Sequence, residues 1–108
     1  MSNILSRLKD IKYFIFDVDG VFTDGSLLVT ESGDLLRSMN TKDGYALRHA
    51  VDHGYEVIII TGGNSKGVKS RFEGLGLKQV YISVKDKLAL FKRLVEENKV
   101  DPSKSLYM

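Results

Sequence analysis

The sequence predicts an α/β fold, in which helices flank a three-layer, Rossmann-like parallel sheet. Three observations lead to this prediction. Short runs rich in β-branched and aromatic residues alternate along the chain with segments of helical periodicity. The runs are apolar along their whole length, as expected for parallel strands that are covered on both faces. One early segment departs from the alternation and has the pattern of a β-hairpin.

Four segments have the composition of parallel strands. Each is four or five residues long, which suits a buried strand better than a helix. The predicted strands are Lys12–Phe16, Glu56–Ile60, Gln79–Ile82 and Ser105–Met108. The chain ends directly after the last of them, where a parallel α/β protein would place its next functional loop. We therefore expect the fold to be incomplete at its C-terminus.

Three helices are predicted between these strands. Each has a capping residue at its start and apolar residues three or four positions apart on one face. The predicted N-caps are Thr41 or Asp43 for the first helix, Asn64 or Ser65 for the second, and Asp86 for the third. The residues expected to face the core are Leu47, Ala50 and Val51, then Val68, Phe72 and Leu75, then Leu88, Phe91 and Val95. Gly54 and Asn98 are expected to end the first and third helices.

The hairpin is predicted directly after the first strand. It pairs Ser26–Thr30 with Leu35–Met39 across a short polar turn. Its strands carry more apolar side chains than a hairpin exposed on its own would. These side chains belong to Leu27, Val29, Leu35 and Met39. We expect them to be covered either by a second copy of the chain or by packing over the domain's own site.

Composition and charge exclude several classes of protein. The 108 residues suit one domain, predicted to span positions 1–108. Sixteen basic and fourteen acidic residues give a net charge of +2, too balanced to favour nucleic acid or an anionic membrane as partner. The chain has no cysteine, which excludes disulfides and thiolate chemistry, and its apolar runs are too short to span a bilayer. We expect a soluble, cytoplasmic protein with no nucleic-acid or membrane partner.

Polar residues follow three of the predicted strands at their carboxyl ends, where open parallel sheets bind ligands. Asp17 and Asp19 come after the first strand, Thr61 and Gly62 after the second, and Lys87 shortly after the third. Two carboxylates two positions apart face the same way and repel each other unless a cation lies between them. Oxygen ligands without histidine or cysteine favour Mg²⁺. These positions therefore predict a magnesium site at one edge of the sheet.

The same positions suit phosphate chemistry. A carboxylate can attack phosphorus, and a second acid can serve the leaving oxygen. Thr61 and the amide of Gly62 can hold phosphate oxygens at the start of a helix. Lys87 opposes the dipole of the helix that it begins, which suggests an anionic partner. Arg37, which flanks the hairpin, can meet an acidic substrate, although we expect it on the surface.

Four motifs resemble those of a known family. The sequence DVDGVFTDG at Asp17–Gly25 resembles the first motif of the haloacid dehalogenase superfamily of phosphotransferases. IIITGG at Ile58–Gly63 resembles the second motif, and Asp86–Leu88 resembles the third. MNTKDGYAL at Met39–Leu47 is similar to the capless branch of the family, which has a hairpin in the same place. The resemblance covers the chain from about Ile11 onward.

The resemblance implies a role for each candidate residue. Asp17 would be the nucleophile and a Mg²⁺ ligand. Asp19 would be the general acid and base, and would offer its backbone carbonyl to the metal. Thr61 would bind the transferring phosphate together with Gly62, and Lys87 would balance the negative charge of the phosphate and of Asp17.

The resemblance also implies an oligomeric assembly. The chain differs from the family at two places. Members of this branch form homotetramers, and the hairpin at 26–39 would supply the contact. The family's fourth motif, usually Gly-Asp-Asp, supplies a further metal ligand and would follow the strand at Ser105–Met108, where this chain stops. Relatives often carry a charged residue at the position of Gly63. That difference bears on the substrate rather than on the chemistry.

The expected function is a Mg²⁺-dependent phosphatase for a sugar-acid phosphate. The resemblance favours 3-deoxy-D-manno-octulosonate 8-phosphate, in lipopolysaccharide precursor synthesis, and leaves a nonulosonate 9-phosphate as an alternative. A third possibility is a non-catalytic assembly module of the same fold. A phospho-accepting receiver domain would need an isolated aspartate after a later strand, and none follows Ile60 or Ile82.

Overall fold

A computed structural model describes residues 9–108 of the chain. The residues before Lys9 lie outside the described part. The helices and strands follow the predicted alternation. In chain order they are β1 Tyr13–Phe16, β2 Leu28–Val29, β3 Leu35–Leu36, α1 Thr41–Asp52, β4 Glu56–Ile60, α2 Lys66–Gly74, β5 Gln79–Tyr81, α3 Lys87–Glu96, a 3₁₀ turn at Pro102–Lys104, and β6 Ser105–Tyr107.

The main sheet has four strands in the order β5-β4-β1-β6, and every neighbouring pair is parallel. Strand β1 lies in the interior of the sheet, where Ile15 pairs with Ile58 of β4 on one side and with Tyr107 of β6 on the other. Its carboxyl end therefore reaches the same edge as the carboxyl ends of β4 and β5. The predicted α/β fold with a parallel sheet is confirmed.

Alternate side chains of β4 lie on opposite faces of the sheet and pack into two separate cores. Val57 and Ile59 join a core beneath α1 and α2, which also contains the fully buried Phe72. Ile58 and Ile60 join a second core on the opposite face, beneath α3. Helices therefore cover both faces of the sheet, which explains why this strand is apolar along its length. No helix within residues 9–108 has the length and apolarity that crossing a membrane requires.

The cap predicted for α1 is wrong. Asn40 is the N-cap, with an extended backbone, and its side chain accepts a hydrogen bond from the amide of Lys42 at 2.7 Å. Thr41 is the first residue of the helix, and Asp43 lies within its first turn, where a carboxylate complements the helix dipole. The caps of α2 and α3 are Ser65 and Asp86, as predicted.

The face predicted for α3 is also partly wrong. Leu90 and Leu94 are the buried residues of this helix, while Leu88 is 61% exposed. Phe91 is only partly buried against the second core. Lys87, three positions before Leu90, lies on the same helical face as the buried leucines and so points toward the sheet. Asn98 has a left-handed backbone at the end of the helix, consistent with its predicted role as a stop.

The hairpin is shorter than predicted. Its ladder contains two residues from each strand, with Leu28 opposite Leu36 and Val29 opposite Leu35. Beyond these pairs, Met39 turns inward and packs against the first core, so that part of the predicted strand belongs to the domain itself. The ladder residues remain exposed by about half or more of their surface in the single chain.

Candidate functional site

The loop after β1 places two acidic side chains at the edge of the sheet. Val18, between Asp17 and Asp19, is 1% exposed and anchors the loop in the first core. Its amide donates to Oδ1 of Asp17 at 2.7 Å, and its carbonyl accepts from the amide of Phe22 at 2.9 Å. Gly20 then turns the chain with a φ of +86°, a conformation that glycine adopts without strain. The anchored residue between them leaves both carboxylates at the surface of the site.

Asp17 and Lys87 form an ion pair across the site. Nζ of Lys87 donates to Oδ2 of Asp17 at 2.7 Å, and both side chains are about one-third exposed. The lysine is the first residue of α3, and Asp86 caps that helix by accepting from the amide of Ala89. The hydrogen bond to Asp17 raises the pKa of Lys87 above its ordinary value, although burial acts in the opposite direction. The lysine is thus held in its cationic form beside the predicted nucleophile.

The ion pair of Asp17 and Lys87 is expected to make the stability of the fold depend on pH. Because folding raises the pKa of Lys87, the ion pair stabilises the fold fully at pH values below the ordinary lysine pKa. This stabilisation is lost as the pH rises through the raised pKa. Lys87→Met should therefore cost stability at neutral pH and cost less above that value. Urea unfolding of both chains between pH 7 and 11 measures the difference. Lys92→Met, an exposed lysine on the same helix, is the control. A difference that stayed constant across this range would contradict the assignment.

Asp19 pairs with an arginine from the hairpin. Nε of Arg37 donates to Oδ1 of Asp19 at 2.9 Å, and Nη2 donates to Oδ2 at 3.3 Å. The side chain of Arg37 is 10% exposed, so the expectation of a surface position is wrong. The hydroxyl of Thr23 also approaches Oδ1 of Asp19, at 3.4 Å. A guanidinium that bonds a carboxylate through two of its nitrogens is held in a fixed orientation.

The loop after β4 brings Thr61 to the same edge of the sheet. Thr61 is 4% exposed, and its backbone is fixed by bonds from its amide to Tyr81 and from the amide of Val84 to its carbonyl, each 3.0 Å long. Its hydroxyl accepts from the amide of Gly63 at 3.3 Å. Gly62 is exposed, and α2 begins a few residues later with its amides directed toward this end of the sheet.

A cavity of about 750 Å³ lies between the hairpin and this loop. Strand β3 and Arg37 form one wall, and Gly62, Gly63 and Ser65 form another. Lys85, from the segment between β5 and α3, also lines the cavity. Arg37 is a residue of this site for which the sequence predicted a surface position instead. The sequence placed it within the predicted hairpin strand Leu35–Met39, but the direction of the hairpin over the sheet was not visible in the sequence.

The acidic residues of the site can supply some, but not all, of the ligands of a magnesium ion. Within residues 9–108, no group of three or more histidine, aspartate or glutamate side chains is arranged to hold a metal. Mg²⁺, however, is commonly held by one or two carboxylates together with waters and substrate phosphate oxygens. Asp17 and Asp19 supply such oxygen donors, and in the chain alone their charge is balanced by Lys87 and Arg37.

Comparison with known proteins finds relatives that carry the same name. No protein-family model matches the chain. The 3-deoxy-D-manno-octulosonate 8-phosphate phosphatase of Escherichia coli strain K12 is 34% identical to it over 107 residues, which cover 99% of this chain and 57% of that protein. The corresponding protein of Yersinia pestis is 31% identical over 106 residues, covering 98% of this chain and 57% of its own length.

Solved structures agree with the sequence matches. The phosphatase of the same name from Moraxella catarrhalis, in complex with a magnesium ion, a phosphate ion and a KDO molecule, has a TM-score of 0.89 at 30% identity. The match covers 99% of this chain and 62% of that one. A Legionella pneumophila chain assigned to HAD superfamily subfamily III A also has a TM-score of 0.89, at 33% identity, with 99% and 59% covered.

The matches leave part of each relative uncovered. The chain spans about 57% of the length of the curated relatives that it matches. Within that span, sequence and fold agree along almost the entire chain. In sequence and in fold, the chain is therefore related to the phosphatases of the haloacid dehalogenase superfamily, along a little over half of their length.

Proposed function

We propose that residues 1–108 form a phosphatase domain that hydrolyses a sugar-acid phosphate through a phosphorylated aspartate. The observation that carries the proposal is the ion pair of Asp17 with Lys87 at the carboxyl end of β1. It holds a carboxylate in reach of solvent beside a fixed positive charge. An incoming phosphate is attracted by that charge, and the carboxylate is the group that can attack it.

The proposed reaction has two steps. In the first, a carboxylate oxygen of Asp17 forms a bond to phosphorus as the bond from phosphorus to the ester oxygen breaks. Asp19, in its protonated form, gives its proton to the departing ester oxygen, which leaves as the alcohol. In the second step, water attacks phosphorus and loses a proton to Asp19. The bond between phosphorus and Asp17 breaks, which releases inorganic phosphate and restores both acids.

The other site residues bind the phosphate and balance its charge. Thr61 and the amide of Gly62 are proposed to hold its non-bridging oxygens, since both lie at the carboxyl end of β4 near the start of α2. Lys87 offsets the negative charge that Asp17 and the phosphate share. When bound, Mg²⁺ on the carboxylate of Asp17 and the carbonyl of Asp19 would supply further positive charge for the transferring group.

We further propose 3-deoxy-D-manno-octulosonate 8-phosphate as the substrate, in lipopolysaccharide precursor synthesis. The names of the relatives from Escherichia coli and Yersinia pestis, and the KDO molecule in the Moraxella catarrhalis structure, support this choice. A nonulosonate 9-phosphate is the alternative. The two differ in a few contacts to the sugar, each of which changes preference only about 10- to 200-fold.

Phosphate release tests the proposed function. The 108-residue chain is mixed with each of the two sugar-acid phosphates, with Mg²⁺ and then with a chelator in excess. We expect release from the octulosonate phosphate with Mg²⁺, loss of that release with chelator, and a lower rate on the nine-carbon substrate. A higher rate on the nine-carbon substrate would favour the alternative phosphatase. Absence of release from both substrates would favour a non-catalytic assembly module.

The exposed hairpin supports a proposed homotetramer. Leu28 and Val29 are 66% and 62% exposed, and the facing residues Leu35 and Leu36 are each 49% exposed. Contiguous apolar surface of this kind marks a contact surface, and we propose that copies of the chain meet through residues 26–39. In sedimentation, replacing both Leu28 and Val29 by serine should reduce the mass from tetramer to monomer. Leu88→Ser, equally exposed on α3, should leave the mass unchanged. A tetramer that survived the double replacement would exclude this contact.

A further inference from the structure

The guanidinium of Arg37 occupies space that a side chain at position 63 would need. A Cβ atom added to Gly63 would lie 2.9 Å from Nη2 of Arg37, closer than such atoms approach in proteins. Any larger residue at this position would therefore displace the arginine. The hairpin arginine and the glycine after β4 thus fit together as a pair, although 26 positions separate them in the sequence.

Arg37 has donors left for a ligand. Its Nε and Nη2 bond Asp19, while its Nη1 makes no hydrogen bond to a residue in the described part of the chain. A guanidinium carries five N–H donors in a planar fork that matches the geometry of a carboxylate. Because the side chain is 10% exposed, its donors are directed by the protein rather than free to rotate in water.

The cavity beside Arg37 has the size and charge for the organic part of an acidic substrate. At about 750 Å³ it lies within the range of small-molecule sites. Lys85 is the second cation on its wall, and Asp34 is the one acid there among the described residues. The amide of Asn64 and the hydroxyl of Ser65 add groups that can bond sugar hydroxyls.

We propose that Arg37, in the space left by Gly63, binds the carboxylate of the sugar acid and so determines substrate preference. This inference rests on the proposed phosphatase function and adds a recognition residue to it. Asp19 is proposed to act on the ester oxygen, so a guanidinium bonded to Asp19 lies on the leaving-group side of the reaction. Thr61 and Lys87 remain for the phosphate at the other end of the substrate.

Binding of the free sugar acid tests the proposal without turnover. The probe is 3-deoxy-D-manno-octulosonate, compared with its neutral carboxamide, in NMR titrations of the 108-residue chain. We expect Arg37→Ala to weaken binding of the acid about 10-fold or more, as for loss of charge-assisted hydrogen bonds. Binding of the carboxamide should change less than about 2-fold. Arg48→Ala, an exposed arginine paired with Asp52 on α1, is the control and should change neither.

A double-mutant cycle tests the pairing with Gly63. Gly63→Ala should weaken binding of the acid several-fold in the wild-type chain, because the added methyl displaces the guanidinium. In the Arg37→Ala chain the same replacement should have almost no effect, since the group that it displaces is already absent. Equal effects in both chains would overturn the pairing. Equal weakening of the acid and the carboxamide by Arg37→Ala, or no binding of the acid by the wild-type chain, would overturn the proposal.

Phosphatase activity is measured separately from binding of the sugar acid. Release of phosphate from p-nitrophenyl phosphate, which has no carboxylate, reports on the chemistry without the recognition site. If release occurs but the chain does not discriminate the acid from the carboxamide, the inference fails and the phosphatase function stands. If the chain discriminates as expected but releases no phosphate, the recognition site stands and the proposed reaction fails.

Discussion

Replacing Asp17 by asparagine is expected to lower phosphate release by about four orders of magnitude or more, the scale observed when a nucleophile is removed. An amide oxygen is a poor nucleophile, and the side chain also loses the charge that a metal ion would bind. The fold should persist. The asparagine Oδ1 can still accept from the amide of Val18, and the lost ion pair with Lys87 is partly exposed, worth less than about 1 kcal/mol.

Phosphate release and urea unfolding, measured on the same preparations, separate these two effects. Asp52→Asn is the control, because Asp52 is an exposed aspartate on α1 that pairs with Arg48 far along the sequence from the site. It should leave both quantities unchanged. If Asp17→Asn retained release within about 10-fold of wild type, another residue would have to be the nucleophile, and the proposed reaction would be wrong.

Replacing Leu94 by alanine is expected to cost about 2–5 kcal/mol in the free energy of unfolding. Leu94 is 1% exposed and packs beneath the sheet against Ile15, Ile58 and Ile60, all of them fully buried. The loss combines the transfer free energy of the removed carbons with the cavity that rigid neighbours leave behind. Since domains of this size have about 5–15 kcal/mol of stability in total, the variant should unfold at a much lower urea concentration.

The matched control lies on the same helix. Leu88→Ala removes the same atoms from a side chain that is 61% exposed, and alanine is a good helix former. Its stability should stay within about 0.5 kcal/mol of wild type. Urea unfolding of both variants, compared at equal slopes, measures the difference. If Leu88→Ala were the more destabilising, α3 would present the face that its sequence pattern predicted rather than the one described.

The sequence pattern predicted the layers of the fold because strands and helices have different hydrophobic periods. It did not settle which face of α3 is buried, because the six apolar residues within Lys87–Glu96 allow two overlapping apolar stripes. Packing against Ile58 and Ile60 selects the stripe of Leu90 and Leu94. The cap of α1 was misplaced for a similar reason. Asn40, Thr41 and Asp43 are all residues that can cap, and only the backbone conformation of Asn40 decides among them.

The candidate site was predictable where it depends on strand ends. Asp17, Thr61 and Lys87 follow β1, β4 and β5, and parallel strands bring their carboxyl ends to one edge whatever the details of packing. Arg37 was not predictable in this way. Its contact with Asp19 depends on how the hairpin bends back over the sheet, which is a property of tertiary packing and leaves no period in the sequence.

The ion pair of Asp17 and Lys87 joins residues 70 positions apart, and β1 reaches its partners β4 and β6 only across intervening helices. Closing such long loops costs chain entropy before any contact offsets it, so topologies of this kind fold slowly. The helices can form from local contacts while the two halves of the site are still far apart. During refolding, helical circular dichroism should therefore return before the proposed binding of phosphate, so that the site would report the last stage of folding.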